Sequence, residues 1–392
     1  MPKIPIIALA PDEWSGRRMN RQQILSRLAA RGWPVLYSTG ALSIWDRGGP
    51  KWTGAGWLSR FEKTEGLLLD RPGLVLPRWQ RHPRWDRFAI RRHANRLKDF
   101  AGKPAICYIF HPAFWPYAEF LGVKHVVFHA YDSFDLTDDW DEQLANYQAR
   151  LARRADLLVV SAQTMASSFP EDVRASAREL PNAADVDSFI AAAGCECPAD
   201  LAAIPRPRIG YAGAINIKID LELVLEIARN RPGYHWAFLG ACPLNEDGRD
   251  PLWEACLRTP NIHYLGPKRH TEVSAYLHHM DVNVMCYRTA GGGWWIRGYP
   301  LKLHEQLAVG KPVVSAPLET VRPFANVVAL AETPAEWTAA IECALVSGGV
   351  GTPEQRRAIA RQNTWDQRVD VLEGWLLEML DRASSAQPRL AP

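Results

Sequence analysis

Lys302 and Glu305 stand one helical turn apart in YPLKLHEQLAVGKPVVS, residues 299–315. A cation and a carboxylate three residues apart share one helix face. Pro300 opens that helix, Gly310 stops it, and Pro312–Ser315 reads as a buried strand. The first turn of a helix attracts phosphate, because free backbone N–H groups and the macrodipole both favour an anion there. Lys302 can add a point charge for a diphosphate. Glu305 can accept hydrogen bonds from two vicinal hydroxyls, as on a ribose. The alternative is a surface helix with a solvated Lys–Glu pair.

Other segments carry chemistry-bearing residues at turn positions. IGYAGAINIKIDLELV places Gly210 and Gly213 between a strand and a helix, where glycine lets a ligand approach backbone N–H groups. It is not GxGxxG, so the dinucleotide fingerprint is missing. The alternative is a tight strand–helix turn. The loop AGGGWWIRG, 290–298, sets Trp294 and Trp295 behind three glycines, as a flap that closes over a sugar or as a plain surface loop. FHPAFWPY, 110–117, and HAYDSFDLTDDW, 129–140, each follow an expected strand. Residues just past parallel strand ends line the ligand crevice of an open α/β sheet. His111, Asp132 and Asp135 are therefore candidates for deprotonating an acceptor hydroxyl, against turn and capping roles. In WSGRRMNRQQIL, 14–25, Arg17, Arg18 and Gln22 can meet an acidic or phosphorylated acceptor, or form a solvated helix start.

These residues need a scaffold of alternating strands and helices. Ile4–Leu9 starts as a strand, Asn20–Arg31 is helical, and Val35–Tyr37 is the next strand, a βαβ unit with a parallel sheet. Further strands are expected at Gly73–Leu76, Ala105–Phe110, Lys124–Phe128, Leu157–Val160 and Glu179–Leu180, with a helix at Glu142–Arg153. Residues 46–70 show no clear pattern. The stretch AAAGCECPADLAAIPRPR reads as a linker. Beyond it the alternation resumes, with strands at Arg208–Ala212, Tyr234–Leu239, Ile262–Tyr264, Val282–Cys286, Pro312–Ser315 and Val327–Ala329. The expected division is 1–190, a linker 191–207, 208–364, and a crossover helix with tail, 365–392.

Composition narrows the function. A chain of 392 residues with net charge +3 is long for one core, and nothing globally basic demands nucleic acid. No run of about 18 apolar residues occurs, and MPKIPIIALAPDEW is too quickly interrupted for a secretory signal, so a cytoplasmic protein is expected. The seven cysteines are scattered, and Cys195 and Cys197 lack a second pair at zinc spacing. Reduced thiols and no metal are expected. Sixteen tryptophans point to core, interface and sugar stacking.

From about residue 208 to 316 the chain resembles the C-terminal domain of the GT-B glycosyltransferases, with a pattern similar to the family-4-like enzymes of bacterial polysaccharide assembly. The carrying residues are RIGYAGAI, FLG at 238–240, NIHYLGP at 261–267, HHMDVNVMCYR at 278–288 and PLKLHEQLAVGKPVVS at 300–315. RADLLVVSAQTMASSF and LPNAADVDSF resemble the family's interdomain region, with Ala183 in place of its usual glycine. The resemblance implies two Rossmann-like α/β domains facing a cleft, and a C-terminal helix packing back across the domains. It implies a nucleotide diphosphate-sugar as donor substrate, with no further cofactor. Lys302 would meet the diphosphate and Glu305 the ribose. Gly213 would admit the donor, Leu265–Gly266 would lie beside the base, and Lys218, Tyr287 and Arg297 would complete the donor site. Arg297 stands where the retaining signature has a first glutamate, so the stereochemical outcome stays open.

RWQRHPRWDRFAIRRHANRLK, 78–98, holds seven arginines and one lysine against one aspartate, interleaved with Trp79, Trp85 and Phe88. Such a stretch fits an anionic bilayer surface at the inner face of the membrane, or a solvated helix. The expectation is a hexosyltransferase acting on a saccharide or lipid-linked acceptor in cell-surface polysaccharide or glycoconjugate synthesis. Its rivals are an epimerase on the same fold and a non-catalytic nucleotide- or sugar-binding protein.

Overall fold

Short apolar strands separated by helices build a mostly parallel sheet in each half of the chain. The computed structural model describes residues 3–15, 18–102, 104–245 and 250–385. It divides into two units, Met1–Pro181 with Arg368–Pro392, and Asn182–Gln367.

In the first unit the strands are β1 (Ile6–Leu9), β2 (Val35–Ser38), β3 (Arg60–Thr64), β4 (Leu67–Arg71), β5 (Ile106–Ile109), β6 (His125–Ala130), β7 (Leu157–Val160) and β8 (Arg178–Glu179). Their order is β3-β4-β2-β1-β5-β6-β7-β8. Central strands such as IIAL and ICYI are buried along their whole length, as expected of a sheet covered on both faces. Helix α1 (Asn20–Ala30) follows β1, and α2 (Pro83–Ala101) precedes β5. Helix α2 begins on proline and buries Ala89, Ile90, His93, Ala94 and Leu97, one helical stripe. Arg84, Arg87, Arg91 and Arg92 are left exposed on the other face, while Arg96 reaches the buried Asp70.

One expectation fails here: Gly73–Leu76 is not a strand. In the stretch without a clear pattern, Arg60–Arg71 forms the antiparallel hairpin β3–β4. Its turn sits at Glu65 and Gly66, both with positive φ, which a two-residue hairpin requires. The sequence lacks the usual Asn-Gly signal, and β3 is an edge strand with exposed or half-buried side chains, so no alternation marks it. Gly73 instead lets two loops touch: a Cβ there would meet Leu58 and Ser59 backbone atoms at 2.6 Å.

The second unit has β9 (Arg208–Ala212), β10 (His235–Leu239), β11 (Ile262–Tyr264), β12 (Val282–Met285), β13 (Val313–Ser315) and β14 (Ala329–Leu330). All are parallel, in the order β11-β10-β9-β12-β13-β14. The chain builds outward from β9 in one direction, then returns to its other side, so the topological switch lies between β9 and β12.

The stretch 191–207 is not a free linker. Leu201 and Ile204 are buried in the second core, and Asp200 binds Lys268 at 2.7 Å and the Tyr276 hydroxyl at 2.8 Å. Its alanines and prolines hide a short helix, Ala199–Ala202. The last helix, α3 (Trp365–Ser385), joins the first unit from Arg368 onward. There Glu373 accepts from Lys3 Nζ (2.6 Å) and Trp33 Nε1 (2.9 Å). Trp33, Trp236, Trp253 and Trp337 are fully buried. Among the described residues no helix is long and apolar enough to cross a membrane.

Candidate functional site

The donor-side candidates gather in the second unit, at the carboxyl ends of its strands. Gly213 follows β9, and its N–H donates to Leu239 O at 2.8 Å. Gly213 has φ +141°, and a Cβ there would lie 2.5 Å from Lys302 Nζ. Its carbonyl is packed just as tightly, 2.0 Å from where a Cβ on Gly240 would sit. Gly266 follows β11; its carbonyl accepts from Gly240 N–H at 2.9 Å, and its φ of +71° calls for glycine. The turn residues Gly213, Gly240 and Gly266 thus stack against one another across three strand ends.

Lys302 opens the eight-residue helix Lys302–Val309, of which seven residues are buried. That excludes an ordinary surface helix. A left-handed Gly310 ends it, as its sequence requires. The Lys302 ammonium lies 3.6 Å from the Tyr211 ring centre and 5.4 Å from that of Tyr287. Lys218 lies 5.6 Å from the Tyr287 ring and 5.3 Å from that of Trp294. Two cations therefore lie near one aromatic ring at the switch between β9 and β12. Aromatic faces hold ammonium groups by their quadrupoles. Burial, with Glu305 nearby, raises the Tyr287 hydroxyl well above its ordinary pKa, so it stays protonated.

Glu305 is the one half-buried residue of its helix. Its Oε1 lies 3.1 Å from His270 Nε2, at the start of the helix His270–His279. Arg297 ends a helical turn, Trp294–Arg297, and is half-buried. Trp295 is buried, and its Nε1–H donates to Arg288 O at 2.8 Å. Trp294 packs edge-on against it at 5.8 Å. Sequence reasoning passed over Tyr211, Gly240 and His270. Tyr211 and Gly240 lie inside the quoted RIGYAGAI and FLG segments, but His270 comes from another helix and no local spacing reveals it.

The first unit holds a second cluster, past β1, β2, β5 and β6. Arg17 lies outside the described residues. Arg18 is exposed and pairs with Glu65 at 3.1 Å. Gln22 is buried; its Oε1 accepts from Met19 N–H at 3.1 Å and its amide reaches Glu13 O at 3.4 Å. It shapes the start of α1 rather than facing outward. His111 Nδ1 accepts from Ala113 N–H at 3.2 Å, which leaves the proton on Nε2. Burial drives its pKa down to about 4, against Asp139 and with Arg21. It is neutral near pH 7, with its free lone pair taken by a backbone donor. Asp132 Oδ1 accepts from Ser133 N–H at 3.2 Å. Asp135 sits in the 3-10 turn Phe134–Leu136. The residue missed is Arg21, four positions after Arg17. It is buried, paired with Asp12, and lies 4.9 Å from the Tyr131 ring centre. Tyr37, whose hydroxyl donates to Asp12 O at 2.5 Å, is also beside it.

A model of the family "Glycosyl transferases group 1" matches residues 206–346. Those residues of the second unit are similar to the group 1 glycosyltransferases. The Bacillus subtilis (strain 168) protein TuaH, assigned as a teichuronic acid biosynthesis glycosyltransferase, is 33% identical over 163 residues, 40% of this chain. The chain spans 40% of that relative's length. The α,α-trehalose 6-phosphate synthase structure from Burkholderia multivorans superposes with a TM-score of 0.70 at 13% identity, covering 100% of both chains. An E. coli trehalose-6-phosphate structure bound with UDP-2-fluoro glucose gives 0.67 at 12% identity, over 95% of this chain and 98% of that one. The fold is GT-B, and the matched residues 206–346 contain every donor-side candidate named above.

Proposed function

We propose that the protein transfers a hexose-type sugar from a nucleoside diphosphate-sugar, held by the second unit, to a saccharide or lipid-linked acceptor in cell-surface glycan synthesis. The observation that carries this reading is the pair of ammonium groups, Lys218 at 5.6 Å and Lys302 at 5.4 Å from the Tyr287 ring centre, at the switch between β9 and β12. Two cations, of which Lys302 opens a helix, match the two charges of a diphosphate, which develop further as it departs. Glu305, oriented by His270, accepts from the ribose hydroxyls. The base lies beside Leu265–Gly266, and Trp294 covers the sugar. The fold neighbour bound with UDP-2-fluoro glucose and the relative assigned to teichuronic acid synthesis both support this assignment.

The reaction breaks the bond between the anomeric carbon and the diphosphate oxygen and forms one to an acceptor oxygen. In a retaining route the departing phosphate takes the acceptor proton. An inverting route needs a protein base, for which Asp132 and Asp135 are better placed than His111, whose lone pair is engaged. No metal is assigned a role in this reading.

Calorimetric titration with uridine and guanosine diphosphates tests it. Lys302→Met keeps the side-chain length and removes a charge-assisted contact of about 1.5–3 kcal/mol, so binding should weaken roughly 10–100-fold. Glu305→Gln should weaken binding of the nucleoside diphosphate while leaving that of inorganic pyrophosphate alone. Parental affinity in both variants would overturn the donor assignment. Binding without any release of sugar from a panel of donors would leave a binding protein in its place.

A further inference from the structure

We propose that one face of the first unit docks on an anionic lipid surface, with Trp57 and Leu58 as the inserting tip and Arg84, Arg91 and Arg92 as the headgroup-facing cations. The proposal goes beyond the donor reading and does not depend on it.

Twelve large apolar side chains are exposed among the described residues, and eight of them fall between residues 45 and 100. Trp57 is 76% exposed and Leu58 79%. Scattered exposed apolar residues need no explanation, but a concentration of this kind does. The segments that carry them are fastened to one another. Val75 N–H donates to Trp57 O (3.3 Å) and Leu74 N–H to Gly56 O (3.0 Å), with Gly73 allowing the close approach. Arg81 lies 4.7 Å from the Trp45 ring centre. Trp85 Nε1–H donates to Pro77 O at 2.9 Å, and its ring is 5.9 Å from that of Phe88.

Charge selects the occupant. Arg81, Arg84, Arg87, Arg91 and Arg92 are all exposed, and Arg87 lies 3.8 Å from Glu119. Arg78 is committed to Asp86, and Arg96 to Asp70 on the buried side of α2. A groove of about 420 Å³ on α2 is lined by Phe88, Arg91, Arg92, Asn95, Arg96 and Asp99, a space open enough for a phosphate headgroup. Tryptophan and leucine beside unburied arginines match the boundary between acyl chains and anionic headgroups. A double-stranded nucleic acid would use the arginines and leave Leu58 and Val75 idle.

Co-flotation of the full chain with vesicles tests this. At low salt the protein should bind vesicles containing phosphatidylglycerol and pass over pure phosphatidylcholine, and high salt should release it. Replacing Arg84, Arg91 and Arg92 by Gln should weaken binding roughly 100-fold. Trp57→Ser with Leu58→Ser should weaken it about 10-fold or more, including at low salt where the arginines act fully. All five side chains are exposed, so melting temperatures should stay at the parental value. Absence of vesicle binding at low salt, equal binding to neutral vesicles, or parental binding in both variants would each overturn the proposal. So would a concentration-dependent dimer abolished by the Trp57/Leu58 change, which would make a second copy the occupant.

Discussion

Arg21 in the first unit and Arg356 in the second are both buried, and the two are used differently. Arg356, in the second unit, donates to four backbone carbonyls: Gly310 O (3.0 Å), Gly348 O (2.5 Å), Val350 O (2.7 Å) and Gly351 O (3.1 Å). Its charge is spent on fastening the C-terminal end of the helix that carries Lys302 and Glu305. Arg21, in the first unit, pairs with the half-exposed Asp12. Its Nε and Nη1 make no regular hydrogen bond, and tyrosines surround the rest. A guanidinium wrapped in carbonyls is a staple. One held by an exposed carboxylate and aromatic rings keeps donor capacity near the strand ends. The second unit is thus braced behind its candidate donor site, while the first unit keeps Arg21 at the start of α1, in the candidate acceptor segment.

The largest effect that can break this comparison is on Arg356. Arg356→Met leaves buried carbonyls without donors and should cost about 3–5 kcal/mol. Nucleoside diphosphate affinity should fall with it, because Gly310 caps the cradle helix. Arg21→Met should cost only about 1–2 kcal/mol, since Asp12 can turn to water. It should leave nucleoside diphosphate affinity unchanged. Denaturant titration and calorimetry measure both. Equal destabilisation by the two would erase the distinction between staple and open cation.

Legibility followed the reach of each interaction. Lys302 and Glu305 are three residues apart on one helix, so their place on one helix face could be read from spacing. The strands around β1 and β9 were legible because buried parallel strands are continuous apolar runs. The β3–β4 hairpin was not, because an exposed edge strand has no apolar face to mark it. Nor was the helix Ala199–Ala202, because alanine and proline gave a linker composition to residues that Asp200 and Leu201 tie into the core. His270 and Arg21 act through partners at distant sequence positions, and His270 reaches Glu305 across 35 residues. Gln22 and His111 looked like free polar groups; both turn their acceptors to backbone N–H groups instead.

A pH titration sharpens the contrast at smaller amplitude. In the first unit burial pushes His129 down to about 3 and His111 down to about 4. A folded-state pKa below the unfolded value means that the unfolded chain takes up the proton first. Stability is therefore full above about pH 6.5 and is lost as pH falls towards the folded value. At pH 5 the buried His129 alone should account for about 2 kcal/mol. His263 and His278 in the second unit shift the same way through burial. Hydrogen exchange at pH 7.5 and pH 5 should show protection in β6 falling. His129→Gln keeps an acceptor for the Tyr108 hydroxyl, which lies 2.9 Å from Nδ1, and should flatten the loss. An unchanged pH dependence in that variant would remove His129 from the account.

The smallest expected effect is at Arg18, three residues before Arg21. Sequence reading placed it among the acceptor-facing groups, and the structure pairs it with Glu65 across open solvent. An exposed pair of this kind contributes little, because water screens it and two long side chains lose freedom to form it. Arg18→Ala should change stability by less than about 0.5 kcal/mol. Its effect on turnover is the informative one. If Arg18 meets an anionic acceptor, the variant should raise the acceptor KM about 10-fold at unchanged kcat, and added salt should raise the parental KM in the same direction. If acceptor charge is met only by the buried Arg21, Arg18→Ala should leave acceptor KM alone while Arg21→Met raises it. A fall in kcat for Arg18→Ala with KM unchanged fits neither arginine as an acceptor anchor, and would move acceptor recognition away from the start of α1.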